Sequence, residues 1–360
     1  MTAQQRVLAV FERRAADRVP RYEIFLPGFI EKWKLRYPEH AARGIYDFYR
    51  SIDIGMVLPD QHGPYYGAVG IVKDDGDGYV ERDSWGRLVS RKRSGYFENV
   101  LAVPGARKAD LDHVPFGPPD QPGRFDELKG MARGKEQRFC LVSGVLGLFM
   151  SAYRLRGEEQ LLVDIAEDPA FAAELARRVS LSTTEVGLRV SAETGTRHAP
   201  FWVYDELSSR TAPLLSPASF EKVFLAPYRA MIGAWRAAGI THIVLHCDGN
   251  SLPLLPLLRE AGFDGLQSLA PSAGMALPDV QQRWGGDFIL VGGMCNVRTL
   301  PRGSLADIEA EARSVHAAAL RGGVVMGTHS IDEDVPVESY DHYDRVLDSL
   351  STGRFRQDCA

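Results

Sequence analysis

The pattern of apolar and polar positions along the chain switches between two periods. Short runs rich in Val, Ile, Leu and aromatic residues recur: RYEIF (21–25), GMVLP (55–59), RFCLVSG (138–144), APFWVYD (199–205), THIVLHCD (241–248), DGLQSL (264–269), DFILVGG (287–293) and GGVVMGTH (322–329). Each has the length and composition of a strand, and several are apolar throughout, as strands covered on both faces are. Between them the apolar positions fall at helical spacing. The clearest helix is SLADIEAEARSVHAAALRGG, with Ser304 as N-cap, an apolar face of Leu305, Ile308, Ala312, Val315 and Leu320, and a stop at Gly322. A longer helical tract over 157–195 breaks near Asp168-Pro169. Strand–helix alternation predicts βαβ units and a parallel sheet. About eight units predict an α/β fold of the (β/α)8 TIM-barrel type, with a doubly wound open sheet as the competitor. No G-x-G-x-x-G follows an early strand and no G-x-x-x-x-G-K-[ST] occurs, which removes the main support for a nucleotide-binding open sheet.

One stretch breaks the alternation. Residues 60–125 are rich in Gly, Pro and Asp, and YVERDSWGRLVSRK (79–92) within them reads as a β-hairpin. The segment is expected to be an insertion or cap on a single barrel domain spanning 1–360.

Composition narrows the class. The 360 residues are 45% hydrophobic and 25% charged, ordinary for a globular protein with a large core. A net charge of −5 gives no basic footprint for nucleic acid. No apolar run is long enough to span a membrane, and MTAQQRVLAVFERRAADRVP lacks the form of a signal peptide. The four cysteines, Cys140, Cys247, Cys295 and Cys359, have no framework spacing. The expected compartment is a reducing cytoplasm, with thiols free or on a metal.

In a barrel the chemistry sits at the C-terminal ends of the strands. Those ends present Asp205-Glu206, His246-Cys247-Asp248, Met294-Cys295-Asn296 and Thr328-His329. Each group alone has an ordinary explanation. A strand-end Asp is usually a turn former or a helix cap, and a Cys a small buried hydrophobe. Their joint occurrence on one rim points to a site. Side chains alternate along a strand, so His246 and Asp248 share a face and Cys247 points the other way, into the packing layer. Tyr65, Tyr66, Trp85 and Trp202 are candidates for an aromatic substrate pocket, with Cys295 beside them, although core packing serves each equally well.

Several blocks in order along nearly the whole chain carry a resemblance. They are RVLAVFERRAADRVP, LRGEEQLLVDIAEDPAF, YDELSSRTAPLLSPASFEKVFLAPY, LHCDGNSLPLLPLLREAGFDGLQSLAPSAGMAL, GGMCNVRTL and GGVVMGTHSIDEDVPVESY. The chain resembles the uroporphyrinogen decarboxylase superfamily, and within it the methyltransferase-like members. The resemblance implies a (β/α)8 barrel with its site at the C-terminal mouth. True decarboxylases carry an MRQAGRY-like stretch after the first strand that holds substrate acids; here that stretch reads FLPGFIEKWKLRY, and the pattern is absent. The corrinoid-linked methyltransferase branch carries zinc on His-x-Cys plus a distant Cys. Those positions are His246, Asp248 and His329 here, so a His/Asp/His set stands in place of His/Cys/Cys.

The exchange makes the expected centre harder and more Lewis-acidic, suited to a substrate oxygen rather than a thiolate. The resemblance ranks zinc first, and the same two-His-one-carboxylate set also holds Fe(II). The expected function is a metal-dependent methyltransferase or demethylase of a small methyl donor, of the O-methyl type. Asp205 and Glu206 would be its catalytic acid–base groups, and a corrinoid on a separate protein the methyl acceptor. The alternative is a decarboxylase or other lyase on a small acid, with Asp205, His246 and His329 as acid–base groups. A binding protein that keeps only the pocket is a third reading. No nucleic-acid or membrane partner is expected, and a homodimer is compatible with the sequence.

Overall fold

Residues 1–55, 57–93 and 98–353 are described in the computed structural model. Met56, from the second predicted strand, and Cys359 lie outside them. In chain order the strands are β1 (Arg21–Tyr22), β2 (Val57–Asp60), β3 (Gly70–Asp74), β4 (Gly78–Arg82), β5 (Leu88–Lys92), β6 (Glu98–Ala102), β7 (Val142–Leu146), β8 (Phe201–Tyr204), β9 (Ile243–His246), β10 (Gly265–Gln267), β11 (Ile289–Gly293) and β12 (Val324–Gly327). Eight of them form one parallel sheet in the order β1-β12-β11-β10-β9-β8-β7-β2. A parallel bridge from Tyr22 to Ile54, on the segment leading into β2, joins the two edges and closes the barrel. The strand order around the ring is then the chain order, as in a (β/α)8 barrel.

All eight predicted strands lie in this wall. The first is shorter than predicted as a regular strand because the chain changes partners: Glu23 N–H donates to Ile54 O at 3.0 Å, while Phe25 bridges Ile331. Inward positions of the strands fill the barrel. Tyr22, Ile54, Val142, Trp202, Val244, Val291 and Val325 form one buried cluster, and Tyr22 stacks on Trp202 at 6.2 Å. Outward positions pack against the helices in a second, larger cluster.

The helix boundaries follow local chemistry. Ser304 caps helix Leu305–Ala319 and makes a reciprocal capping box with Asp307. The 157–195 tract divides at Asp168, which caps helix Pro169–Glu193 by accepting from Phe171 N–H at 3.3 Å. Between β2 and β7 the chain leaves the barrel and forms an antiparallel sheet in the order β3-β4-β5-β6. The predicted hairpin is its centre, β4 against β5.

Candidate functional site

His246 is the last residue of β9, flanked in register by Tyr204 on β8 and Gln267 on β10. Two residues on, Asp248 leads into a turn that only glycine fits: Gly249 has φ +85°, and a Cβ there would meet Ser209 O at 2.1 Å. His329 follows β12. Its ring centre lies 5.0 Å from that of His246, and Tyr204 closes the other side of His246 at 4.9 Å.

The three side chains converge. One donor atom each from His246, Asp248 and His329 lies within 4.8 Å of the others. His329 Nε2 is 3.3 Å from Asp248 Oδ1, and His246 Nε2 is 3.9 Å from the same oxygen. Each imidazole is tied at its other nitrogen. His246 Nδ1 hydrogen-bonds Gln267 Oε1, and His329 Nδ1 lies 2.8 Å from Ser330 Oγ. Because an amide oxygen only accepts, His246 carries its proton on Nδ1 and turns a lone pair on Nε2 toward Asp248. Ser268 Oγ donates to Asp248 Oδ1 from a residue with φ of +80°, a left-handed conformation that a non-glycine residue adopts only when its surroundings enforce it.

The electrostatics agree with this arrangement. Burial, helped by the neighbouring His329, pushes the His246 pKa down to about 4, so the ring is neutral near pH 7. For Asp248 the surrounding protein works against the charged form. His329, His246 and Ser268 outweigh it and hold the carboxyl well below the usual carboxylate range. Two neutral-capable imidazoles and an ionised carboxylate, with second nitrogens tied by hydrogen-bond partners, fit a three-ligand metal centre. The Asp248 side chain is 58% exposed, so the cluster opens to the mouth on one side. Gln267 Nε2, beside it, is buried and has no hydrogen-bond partner among the described residues.

The other predicted groups are distributed differently. Asp205 does not turn into the mouth. Its fully buried carboxylate accepts from Phe149 N–H at 3.1 Å, Met150 N–H at 2.7 Å and Glu206 N–H at 3.0 Å, and from Tyr228 Oη. It therefore satisfies the N-terminus of helix Leu148–Arg156, the capping role that strand-end Asp often takes. Gly147 makes room for it, since a Cβ there would meet the Asp205 carboxyl at 2.4 Å. Burial pushes the Asp205 pKa up to about 6 against these donors. Glu206 is exposed and accepts from Tyr153 Oη at 3.2 Å. Cys247 is buried in the outer layer, its thiol pushed up to about 12 by burial.

Trp202 lies inside the barrel, in the cluster with Tyr22, rather than at the rim. Cys295 is buried, with its N–H on Glu311 Oε1 at 2.8 Å. Trp85, in the turn between β4 and β5, is buried in the larger core cluster and donates to Gln61 O at 2.8 Å. Tyr65 packs over Gly86, and Tyr66 packs between His62 and Arg124. These three residues belong to the 60–125 segment.

Gln267, Ser268, Ser330 and Tyr204 were not among the predicted site residues. The signal for Gln267 was available: it is a polar residue inside the strand read at 264–269, the next strand after that of His246. Recognising Ser268 and Ser330 required the loop conformations.

A closed parallel barrel with convergent imidazole and carboxylate groups at its C-terminal mouth defines a TIM-barrel protein with a mouth-facing polar site. The chain belongs to the family described as Uroporphyrinogen decarboxylase (URO-D), whose model matches residues 106–345. Among solved structures it is similar to a methyltransferase from Methanosarcina mazei, at 18% identity and a TM-score of 0.67, covering 97% of this chain and 99% of that one. At that identity the likeness concerns the fold. No curated protein matches the sequence closely enough to count as a relative. Among the described residues no helix is long and apolar enough to cross a membrane.

Proposed function

We propose that the chain is a metal-dependent methyltransferase or demethylase acting on a small O-methyl donor. His246, Asp248 and His329 would hold the metal, zinc first and Fe(II) second. The observation that carries this reading is the convergence of His246 Nε2, His329 Nε2 and Asp248 Oδ1 with both Nδ1 atoms already tied. The methyltransferase from Methanosarcina mazei, similar over almost its whole length, supports the reaction class.

A Lewis-acidic ion in this set, free of thiolates, would polarise the oxygen that bears the methyl group. The residues of the chain do the rest. Gln267 and Ser330 fix the two imidazoles. Ser268 fixes Asp248. Glu206, exposed at the end of β8 and hydrogen-bonded by Tyr153, would relay a proton from solvent to the departing oxygen. The methyl acceptor would be a reduced corrinoid carried by a separate protein. Transfer would break the C–O bond, give the methyl group to that acceptor, and release the alcohol once the alkoxide has taken the proton relayed through Glu206.

The test incubates the zinc-loaded protein with reduced cobalamin and a panel of methoxy compounds, reading the absorbance change on cobalt methylation. Methylation with at least one donor that disappears in His329→Ala is the expected result. Cobalamin that stays unmethylated throughout, together with metal-independent release of carbon dioxide from a small acid, would favour the lyase.

A further inference from the structure

A cavity of about 530 Å³ opens at the end of the barrel opposite the mouth. Val19-Pro20, leading into β1, and Gly322-Gly323, leading into β12, belong to its wall, with Gly285 at the exit of helix Leu277–Trp284. The volume is ordinary for a small-molecule site. Arg13, Arg14, Arg18 and Arg321 line it, and the one carboxylate among the lining residues is Asp17. The chain as a whole is acidic, with a net charge of −5, so this wall reverses the sign.

Two of the four arginines are neutralised beside the cavity. Arg14 bonds Glu12 through Nε at 2.7 Å, and Arg18 bonds Asp53 through Nη1 at 2.8 Å. Asp17 is itself taken up by Arg6, through Nε at 2.6 Å and Nη2 at 2.9 Å. Arg13 and Arg321 have only neutral acceptors among the described residues. Arg13 donates through Nη1 to Gly285 O at 2.8 Å and through Nη2 to Gly286 O at 3.0 Å, and Arg321 donates through Nη2 to Gln281 Oε1 at 2.6 Å. Gln281 lies on helix Leu277–Trp284, and its Nε2 donates to Ala318 O and Gly322 O at 3.0 Å. Both guanidinium groups are therefore fastened at one helix end by carbonyl and amide oxygens, which orient a cation without cancelling its charge. Arg13 also has a φ of +54°, just beyond helix Ala3–Phe11, where glycine is the ordinary residue. An arginine is kept there at a backbone cost that glycine would avoid.

We propose that this cavity binds a small organic phosphate ester, with Arg13 and Arg321 on the phosphate. The site lies apart from the His-Asp-His cluster and does not depend on the methyltransferase reading. A phosphate monoester is close to a dianion at neutral pH, its second pKa being about 6, and so matches two cations that lack counter-charges. One carboxylate would leave one of them unmet. A guanidinium has more N–H donors than these contacts use, which leaves directed donors for phosphate oxygens. Val10, Val19 and Leu350 supply an apolar wall for the organic part.

The test uses the full chain as purified and follows thermal unfolding at constant ionic strength and neutral pH. Phenyl phosphate raises the melting temperature saturably, inorganic phosphate acts at least about tenfold more weakly because it lacks the apolar part, and phenol has no effect. Arg321→Gln, at an exposed position, melts close to the wild type without ligand and binds phenyl phosphate at least about tenfold more weakly. Arg321→Lys retains part of the affinity. Arg13→Gln, which keeps a donor for the Gly285 or Gly286 carbonyl, shows the same loss as Arg321→Gln. His329→Ala keeps the full response, which separates this site from an anion held at the mouth. No saturable response in the wild type, equal responses in wild type and Arg321→Gln, or a response lost in His329→Ala would overturn the proposal. Phenyl phosphate binding no more tightly than inorganic phosphate would mean an adventitious ion only and would overturn it too. So would glutarate stabilising as well as phenyl phosphate, since two separated carboxylates would then serve equally.

Discussion

His246 and Gln267 sit directly opposite each other on β9 and β10, and the amide oxygen of Gln267 holds the His246 Nδ1–H. This contact selects the tautomer that presents Nε2 to Asp248. Replacing Gln267 by Leu removes the acceptor and leaves a buried N–H unmet. Metal affinity is expected to fall 10- to 100-fold, roughly the effect of losing such a partner in other sites. Gln267→Glu keeps an acceptor and retains most of the affinity. A competitive chelator titration measures both, and equal affinities for wild type and Gln267→Leu would show that the contact does not orient the ring.

The depressed His246 pKa gives the metal-free protein a defined acid response. The unfolded histidine takes a proton near 6.5, the folded one only near 4. Between those values the unfolded state binds more protons, so this contribution to stability is complete above about pH 6.5 and is lost as the pH falls toward 4. Its upper size is about 3 kcal/mol. In His246→Gln this acid-side slope disappears. Denaturant unfolding of both proteins between pH 4.5 and 7.5 checks it, and parallel stability curves would contradict it.

Asp205 is expected to matter for the fold and not for metal loading. Asp205→Asn turns one of the two acceptor oxygens into an NH2 group, which takes the acceptor from either Phe149 N–H or the Met150 and Glu206 N–H pair and sets donor against donor there. The loss of stability should be about 2–4 kcal/mol. Metal content per folded chain should stay at the wild-type level. An Asp205→Asn protein of unchanged stability that lost all turnover would return Asp205 to a catalytic role.

The barrel was legible because its strands are continuous apolar runs, and covered parallel strands have no other composition available to them. The His246-x-Asp248 pair was legible for a related reason: the two-residue period of a strand puts both on one face and Cys247 on the other. Which face a strand-end carboxylate takes depends on the register in which its strand ends, and composition alone does not fix that register. Tyr204 pairs with His246, so Asp205 corresponds to Cys247 and takes the outer face, where it meets the bare N–H groups of a helix N-terminus. Asp248, one position further on, keeps the His246 face and meets two imidazoles. Gly147 leaves the space that the Asp205 carboxyl fills. Trp202 shows the same limit, since an aromatic at an inward position serves the barrel floor or the mouth according to its depth.

Glu23 lies behind the site, fully buried, accepting from Thr328 Oγ1 at 2.7 Å, next to His329 in sequence. Burial raises its pKa from 4.5 to about 7. The folded state therefore holds a proton that the unfolded state releases between these values. The stabilisation is full below about pH 4.5 and is lost as the pH rises through 7. Glu23→Gln, which mimics the protonated form, should be close to wild type in stability at pH 5 and more stable at pH 8, by up to about 3 kcal/mol. A constant difference across that range would show that Glu23 does not titrate with folding.

The most direct measurement is elemental analysis of protein purified without chelators, set beside single variants of the cluster. The account predicts about one zinc per chain in the wild type, as in three-ligand catalytic zinc sites. His329→Ala and Asp248→Ala should lose most of it while remaining folded. Cys247→Ala should keep it, because that thiol is buried in the outer packing layer. Zinc, iron and other transition metals all far below one per chain, with activity indifferent to chelators, would contradict the account. So would a site emptied by Cys247→Ala and kept by Asp248→Ala.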